Sequence, residues 1–262
     1  NQLSVQGLTA GYDKRIILDD VDLDIPPGSF TVIVGANASG KSTLLRSMAR
    51  LLPAQTGHVL LDGQDIRSMR TKELARHIGL LPQSAVAPES ITVIDLVSRG
   101  RHPHQGIFRH WTDADEAAVQ AALAQTRLTD LATAAVDRLS GGQRQRVWIA
   151  MVLAQDTPLM LLDEPTTFLD LAHQIEVLEL CSTLNKKGHT LVAVLHDLNQ
   201  AARYGTHLVA VKDGSILAQG PPAEIVTAEL IEATFGVRSR VVTDPEAGTP
   251  MVVPLATGAI QV

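Results

Sequence analysis

The sequence predicts an α/β fold, a parallel or mixed sheet covered by helices and interrupted by a helical insert. Three observations carry this. Short continuous apolar runs such as Phe30–Val34, 159–162 and 190–195 have the length of strands covered on both faces. Helical patterns separate these runs, and strand–helix alternation implies a sheet with helices packed on it. From about Ser84 to Thr157 the strand signal nearly vanishes, and helices are expected at 93–99, 113–126 and 143–155.

The elements follow in order. Leu3, Val5 and Leu8, then Val21, Leu23 and Ile25, nearly alternate with polar residues, as strands do. Pro26-Pro27-Gly28 breaks that pattern. A helix is expected over 42–52, stopped by Pro53 and Gly57. Strands are expected at 58–61 and 78–81, with a short helix at 71–77 between them. Past the insert, helical patterns at 172–187 and 198–204 separate strands at 159–162, 190–195 and 207–212. The stretch after Gly236 is β-prone at Val241-Val242 and 251–253.

Composition narrows the function classes. The chain has 262 residues, 45% of them apolar, enough for a sizeable core. Aromatics are only 3%, so Leu, Ile, Val and Ala must build that core. A net charge of −6 argues against bulk affinity for nucleic acid, which needs a basic face. The single cysteine, Cys181, cannot form an internal disulfide and lies in an apolar helical pattern, which favours a small buried hydrophobe over a reactive thiol. Residues 1–10 show no cationic start followed by an apolar run, so no leader is expected there. No apolar run reaches the length that spans a bilayer, so a membrane role would run through a partner.

Gly35-Ala36-Asn37-Ala38-Ser39-Gly40-Lys41-Ser42 fits G-x-x-x-x-G-K-[ST] in full. The two glycines let the backbone curl so that its N–H groups converge on anionic oxygens. The helix that follows adds its positive end. Lys41 offers a mobile charge to β- and γ-phosphates, and the Ser42 hydroxyl is a hard donor suited to Mg²⁺. About one chain of this length in a hundred would carry the pattern by chance, but here it stands between an apolar strand and a helix. Asp163 and Glu164 follow the second apolar run directly, at the strand edge where open α/β sheets bind ligands. Asp163 suits Mg²⁺. Glu164 points elsewhere and can polarise an attacking water as general base. The bland alternative for this pair is a surface turn, helped by Pro165.

Leu139-Ser140-Gly141-Gly142-Gln143 stands between the loop and these carboxylates and resembles the signature motif of ABC ATPases. It also reads as a helix N-cap, with Ser140 capping, and the two readings are compatible. The other family motifs occur in order. Tyr12 resembles the aromatic that stacks on adenine, against packing on an edge strand. Gln83 resembles the Q-loop glutamine that touches Mg²⁺ or the water. Asp170 resembles the D-loop residue at a dimer seam, and His196 the switch histidine at the γ-phosphate.

The resemblance covers essentially the whole chain. It implies a P-loop NTPase core of ABC ATPase type, a mixed sheet with helices, plus an antiparallel β subdomain and an inserted helical subdomain. The expected bounds are an ATPase domain over 1–236, with core at 1–83 and 158–236 and insert at 84–157, and a tail at 237–262. It implies ATP held by Tyr12, Gly35–Thr43, Gln83 and Asp170 with Ser140, Gly141, Gly142 and Gln143; Mg²⁺ at Ser42, Gln83 and Asp163; and catalysis by Glu164 and His196. The implied partners are a second copy head to tail, integral membrane permease subunits and, indirectly, a substrate-binding protein, at the cytoplasmic face of the cell membrane. Within the family, 99–105, 165–179, 194–200 and 247–250 resemble ATPases importing ferric siderophores, haem or vitamin B12, most of all the ferric-siderophore branch typified by ferric enterobactin uptake. A soluble ABC-type ATPase acting on DNA or ribosomes is the contrasting class, but the coiled coil or second cassette of those proteins is missing. His102, His104 and His110 lack Cys or carboxylate partners at ligand spacing, which argues against a metal cluster.

Overall fold

The computed structural model describes residues 2–13, 15–84, 86–106 and 110–255. By its internal contacts the chain divides into two compact units, one of residues 66–191, the other of 2–65 with 192 onwards. The division falls inside the strand that spans Thr190–Val194.

The unit of 2–65 and 192 onwards is built first from long strands. β1 (Leu3–Tyr12) pairs antiparallel with β2 (Arg15–Ile25) and with β4 (Thr56–Leu61), and the two-residue β5 (Gln64–Asp65) closes the sheet in the order β2-β1-β4-β5. Leu3, Val5 and Leu8 are buried, as the near-alternation predicts. A second, mixed sheet begins at β3 (Phe30–Val34), buried along its whole length. Its helix is α1 (Lys41–Met48). α1 ends earlier than the apolar pattern predicts because Arg50 turns left-handed at φ +58°. The N–H groups of Leu51 and Leu52 then close back on the Arg46 carbonyl at 2.9 and 3.2 Å, which satisfies a free helix-end acceptor.

The remaining strand of the chain's middle, β8 (Thr190–Val194), is continuous with this unit from Val192. α7 (Leu198–Tyr204), β9 (His207–Lys212) and β10 (Ser215–Gly220) follow. β3 and β9 are parallel, with Val34 opposite Ala210, while β10 returns antiparallel. The small helices α8 (Pro222–Ile225) and α9 (Ala228–Phe235) precede a hairpin of β11 (Ser239–Thr243) and β12 (Pro250–Pro254), at the two β-prone stretches. Asn199 docks this hairpin on α7: its side-chain amide donates to the Val252 carbonyl at 3.2 Å and accepts from the Val252 N–H at 2.7 Å, as a neighbouring strand would.

The unit of 66–191 contains α2 (Thr71–Leu74), β6 (Ile78–Leu81), α3 (Val93–Ser98), α4 (Asp113–Gln125), α5 (Gly141–Ala154), β7 (Leu159–Asp163) and α6 (Leu171–Lys186). β6 and β7 run parallel with Leu81 opposite Leu162, so both strands end at one edge. Helices α3, α4 and α5 share a core of Val93, Leu96, Val119, Leu123, Val147 and Ala150. Each of the Val and Leu side chains contributes about 1.5–3 kcal/mol by leaving water. Cys181 is fully buried in α6, and burial pushes its thiol up to about 12, so it stays protonated and packs as a hydrophobe.

Residues Arg99–His104 form a 3₁₀ turn, and Arg101 is buried within it. Arg101 Nε donates to Asp115 Oδ1 at 2.9 Å and Nη1 donates to the Ala154 carbonyl at 2.8 Å. Thr112 donates its N–H and hydroxyl to Asp115 Oδ2 at 3.1 and 2.7 Å. Burial pushes the Asp115 carboxyl up, but the bonds from Thr112 and Arg101 outweigh it and hold the group below its usual range. Stability from Asp115 is therefore present above the ordinary carboxylate range and lost as pH falls through the lowered value. Arg101→Ala leaves that carboxylate buried without its cation, and is expected to cost about 3–5 kcal/mol in urea unfolding at neutral pH. An unchanged unfolding midpoint would remove this pair from the insert's stability.

Candidate functional site

The phosphate loop leaves β3 and enters α1. Its base, Gly35, Ser39, Gly40 and Lys41, is buried, while Ala36, Asn37 and Ala38 form an exposed tip. Gly40 sits at φ +108°, where a side chain is strained, and a Cβ there would lie 2.8 Å from Leu18 Cδ2. At Gly35 a Cβ would strike the Val211 carbonyl of β9. The turn after β9 braces the loop from outside: Gly214 N–H donates to the Ser39 carbonyl at 3.0 Å. Helix α1 starts with no side-chain cap and no acid in its first turn. A helix start with neither feature keeps its positive end uncompensated by a carboxylate, which suits an anion. Lys41 is 5% exposed, and its ammonium donates to the Gly35 and Ala36 carbonyls at 3.0 and 2.8 Å, holding a positive charge over the loop. Ser39 Oγ is buried without a hydrogen-bond partner among the described residues. A curled backbone, a held ammonium and an open helix start together fit a polyphosphate, and Ser42 adds the hydroxyl oxygen that Mg²⁺ prefers.

Two further predicted residues belong to the same unit. Tyr12 ends β1 half-exposed, and its hydroxyl accepts from Arg46 Nη1 of α1 at 3.3 Å. His196 is exposed just past β8. Leu195 N–H donates to the Ile33 carbonyl at 3.2 Å, so β8 ends beside β3 and His196 emerges at the edge where Gly35 begins.

The unit of 66–191 holds the other predicted residues. Asp163 closes β7, 2% exposed. Glu164 follows with a left-handed backbone at φ +55°. Gln83, past the end of the neighbouring β6, donates through Nε2 to Glu164 Oε2 at 2.8 Å. Thr167 Oγ1 donates to the same oxygen at 2.9 Å. The structure thus brings Gln83 and Glu164 together and adds Thr167, to which the sequence reading gave no role. The signal was a hydroxyl three residues after a carboxylate in a Pro-containing turn.

Ser140 caps α5. Its Oγ accepts from Gln143 N–H at 3.3 Å and Gln143 Oε1 accepts from Ser140 N–H at 2.9 Å, a reciprocal capping box. The N-cap reading of this motif holds. Asp170 caps α6 through its side chain alone, accepting from His173 N–H at 3.0 Å. Its carboxyl is held low by that backbone bond and by the His173 ring. Gly142 packs against His173, so the signature turn and Asp170 meet through a residue the sequence did not single out. Among the described residues no group of three or more His, Cys, Asp or Glu is arranged to hold a metal, and His104 Nε2 instead meets the Gln155 carbonyl at 2.7 Å. No helix among them is long and apolar enough to cross a membrane.

Comparison with known proteins agrees with these features. The family described as ABC transporter matches residues 18–167. The ferric enterobactin transport ATP-binding protein FepC of Escherichia coli (strain K12) is 57% identical over 98% of this chain and 96% of its own length. A solved ABC transporter of metal-chelate type, in an inward-facing conformation, superposes with a TM-score of 0.83 at 29% identity, covering 97% of each chain. A bacterial ABC transporter cassette solved as a dimer gives a TM-score of 0.72 at 30% identity over 84% of this chain and 98% of that one. With the phosphate loop, the capped signature turn and the Asp163-Glu164 pair all in place, the chain belongs to the ABC transporter family, as one of its ATP-binding ATPases.

Proposed function

We propose that this chain powers import of a ferric siderophore by hydrolysing ATP beneath a separate membrane permease. The observation that carries hydrolysis is Glu164, whose carboxylate is fixed by Gln83 and Thr167 in a chain with a complete phosphate loop. A carboxylate held in this way is suited to draw a proton from water. Gly35–Thr43 takes the phosphates, Tyr12 stacks on the adenine, and His196 contacts the γ-phosphate. Ser42, Gln83 and Asp163 supply oxygen donors for Mg²⁺, which when bound neutralises phosphate charge.

Each site is completed by a second copy placed head to tail. Ser140–Gln143 of one copy faces the nucleotide of the other, and Asp170 lies at the seam. The dimeric cassette of similar fold supports this arrangement. The cargo reading rests on the likeness to the ferric enterobactin ATPase. On this reading the chain works at the cytoplasmic face of the cell membrane, bound to permease subunits and served indirectly by a substrate-binding protein.

The test is reconstitution of the chain with its permease in liposomes, following radio-iron. ATP-dependent uptake of a ferric siderophore, lost with Glu164→Gln, is expected. Uptake of haem or vitamin B12 but no ferric siderophore would overturn the cargo assignment.

A further inference from the structure

Gly142 raises a question that backbone geometry does not answer. It lies inside α5 in ordinary helical conformation, so no left-handed turn requires a glycine there. Glycine in a helix costs about 1 kcal/mol relative to alanine. Its neighbour Gly141 faces near-open space, with Leu169 Cδ2 3.9 Å from where a Cβ would be. At Gly142 the same volume is filled by the imidazole of His173, whose Nε2 would lie 2.9 Å from a Cβ and whose Cδ2 would lie closer still. Gly142 is glycine because a histidine ring occupies the place of its side chain.

That ring is held in turn. Asp170 Oδ1 accepts both the backbone N–H of His173 at 3.0 Å and its ring Nδ1 at 2.7 Å. Two bonds from one residue to one oxygen fix the ring's direction. The chain of contact runs from Asp170, through His173, to the first turn of α5.

We propose that His173 is a positioning residue for ATP hydrolysis: fixed by Asp170, it is the spacer that sets the first turn of α5, and so carries the state of the seam to Ser140–Gln143. This rests on the reading that Ser140–Gln143 acts on the nucleotide of a second copy. His173 then acts on turnover and leaves the affinity of the chain's own phosphate loop alone.

The experiment compares His173→Ala, His173→Asn and Gly142→Ala, with the double variant Gly142→Ala/His173→Ala. It reads kcat and KM for ATP, binding of a fluorescent ATP analogue, and melting temperature. His173→Ala is expected to lower kcat between about tenfold and a hundredfold, the scale of a misaligned reacting group, with analogue binding unchanged. His173→Asn keeps a side-chain donor for Asp170 and is expected to recover part of the loss. Gly142→Ala is expected to lower the melting temperature in the otherwise native chain and to lower it less in the His173→Ala background. Wild-type kcat in His173→Ala, a loss that follows analogue affinity, or equal melting losses for Gly142→Ala in both backgrounds would overturn the proposal. If the native chain shows no turnover, the functional reading fails, and the melting comparison still decides whether His173 is the spacer.

Discussion

Replacing Glu164 with glutamine is expected to lower kcat for ATP hydrolysis by about 10²–10⁴-fold, the range a general base contributes, with ATP binding intact. The geometry makes this substitution clean. Oε2 accepts from Gln83 and Thr167, and a glutamine can present its one carbonyl oxygen to the same two donors. What disappears is basicity, since an amide does not take a proton from water. Both side chains tolerate the left-handed backbone equally, so the fold is not asked to change. Phosphate release and filter binding read the two effects separately. Full hydrolysis by the variant would remove Glu164 as the base.

Lys41→Ala is expected to act on the other quantity. The ammonium is held over the loop by the Gly35 and Ala36 carbonyls. Hydrogen bonds to charged groups contribute about 1.5–3 kcal/mol, so ATP affinity should fall by about 10–150-fold. Alanine is a good first-turn residue, so α1 itself should persist. Titration calorimetry with ATP checks this, and unchanged affinity would show that the loop does not bind through Lys41.

Much of this architecture was legible locally. β3, β6, α7 and β9 fall where the apolar runs and their Gly or Pro boundaries place them. The phosphate loop was legible because its chemistry sits in eight consecutive residues. Other features were hidden for physical reasons. α5 starts at Gly141, two residues before the predicted start, because the Ser140–Gln143 capping box outweighs the helix-breaking tendency of the glycines. β10, α8 and α9 gave no reading: β10 is half-exposed, and the two helices are short, marked chiefly by Pro222 in the first turn of α8, by the Thr227 cap of α9 and by Gly236 after it. The Gln83–Glu164 bond joins residues 81 apart. Only the parallel register of β6 and β7 brings them together, and no spacing in the sequence encodes it. Arg101 carried no role in the sequence, yet it is buried, with Asp115 and the end of α5 accepting from its Nε and Nη1. His173 was invisible because a lone histidine in a helix has no signature until Gly142 is seen beneath it.

The central claim is that a complete ATP site takes its phosphate loop from one copy and Ser140–Gln143 from another. Its most direct test is sizing of the Glu164→Gln chain by light scattering with and without ATP and Mg²⁺, beside the same chain carrying Ser140→Arg. The prediction is a two-chain species with one ATP per chain for Glu164→Gln, formed only with ATP. The doubly substituted chain should bind ATP and remain single. A doubly substituted chain that pairs equally well, or a Glu164→Gln chain that binds ATP and never pairs, would contradict it.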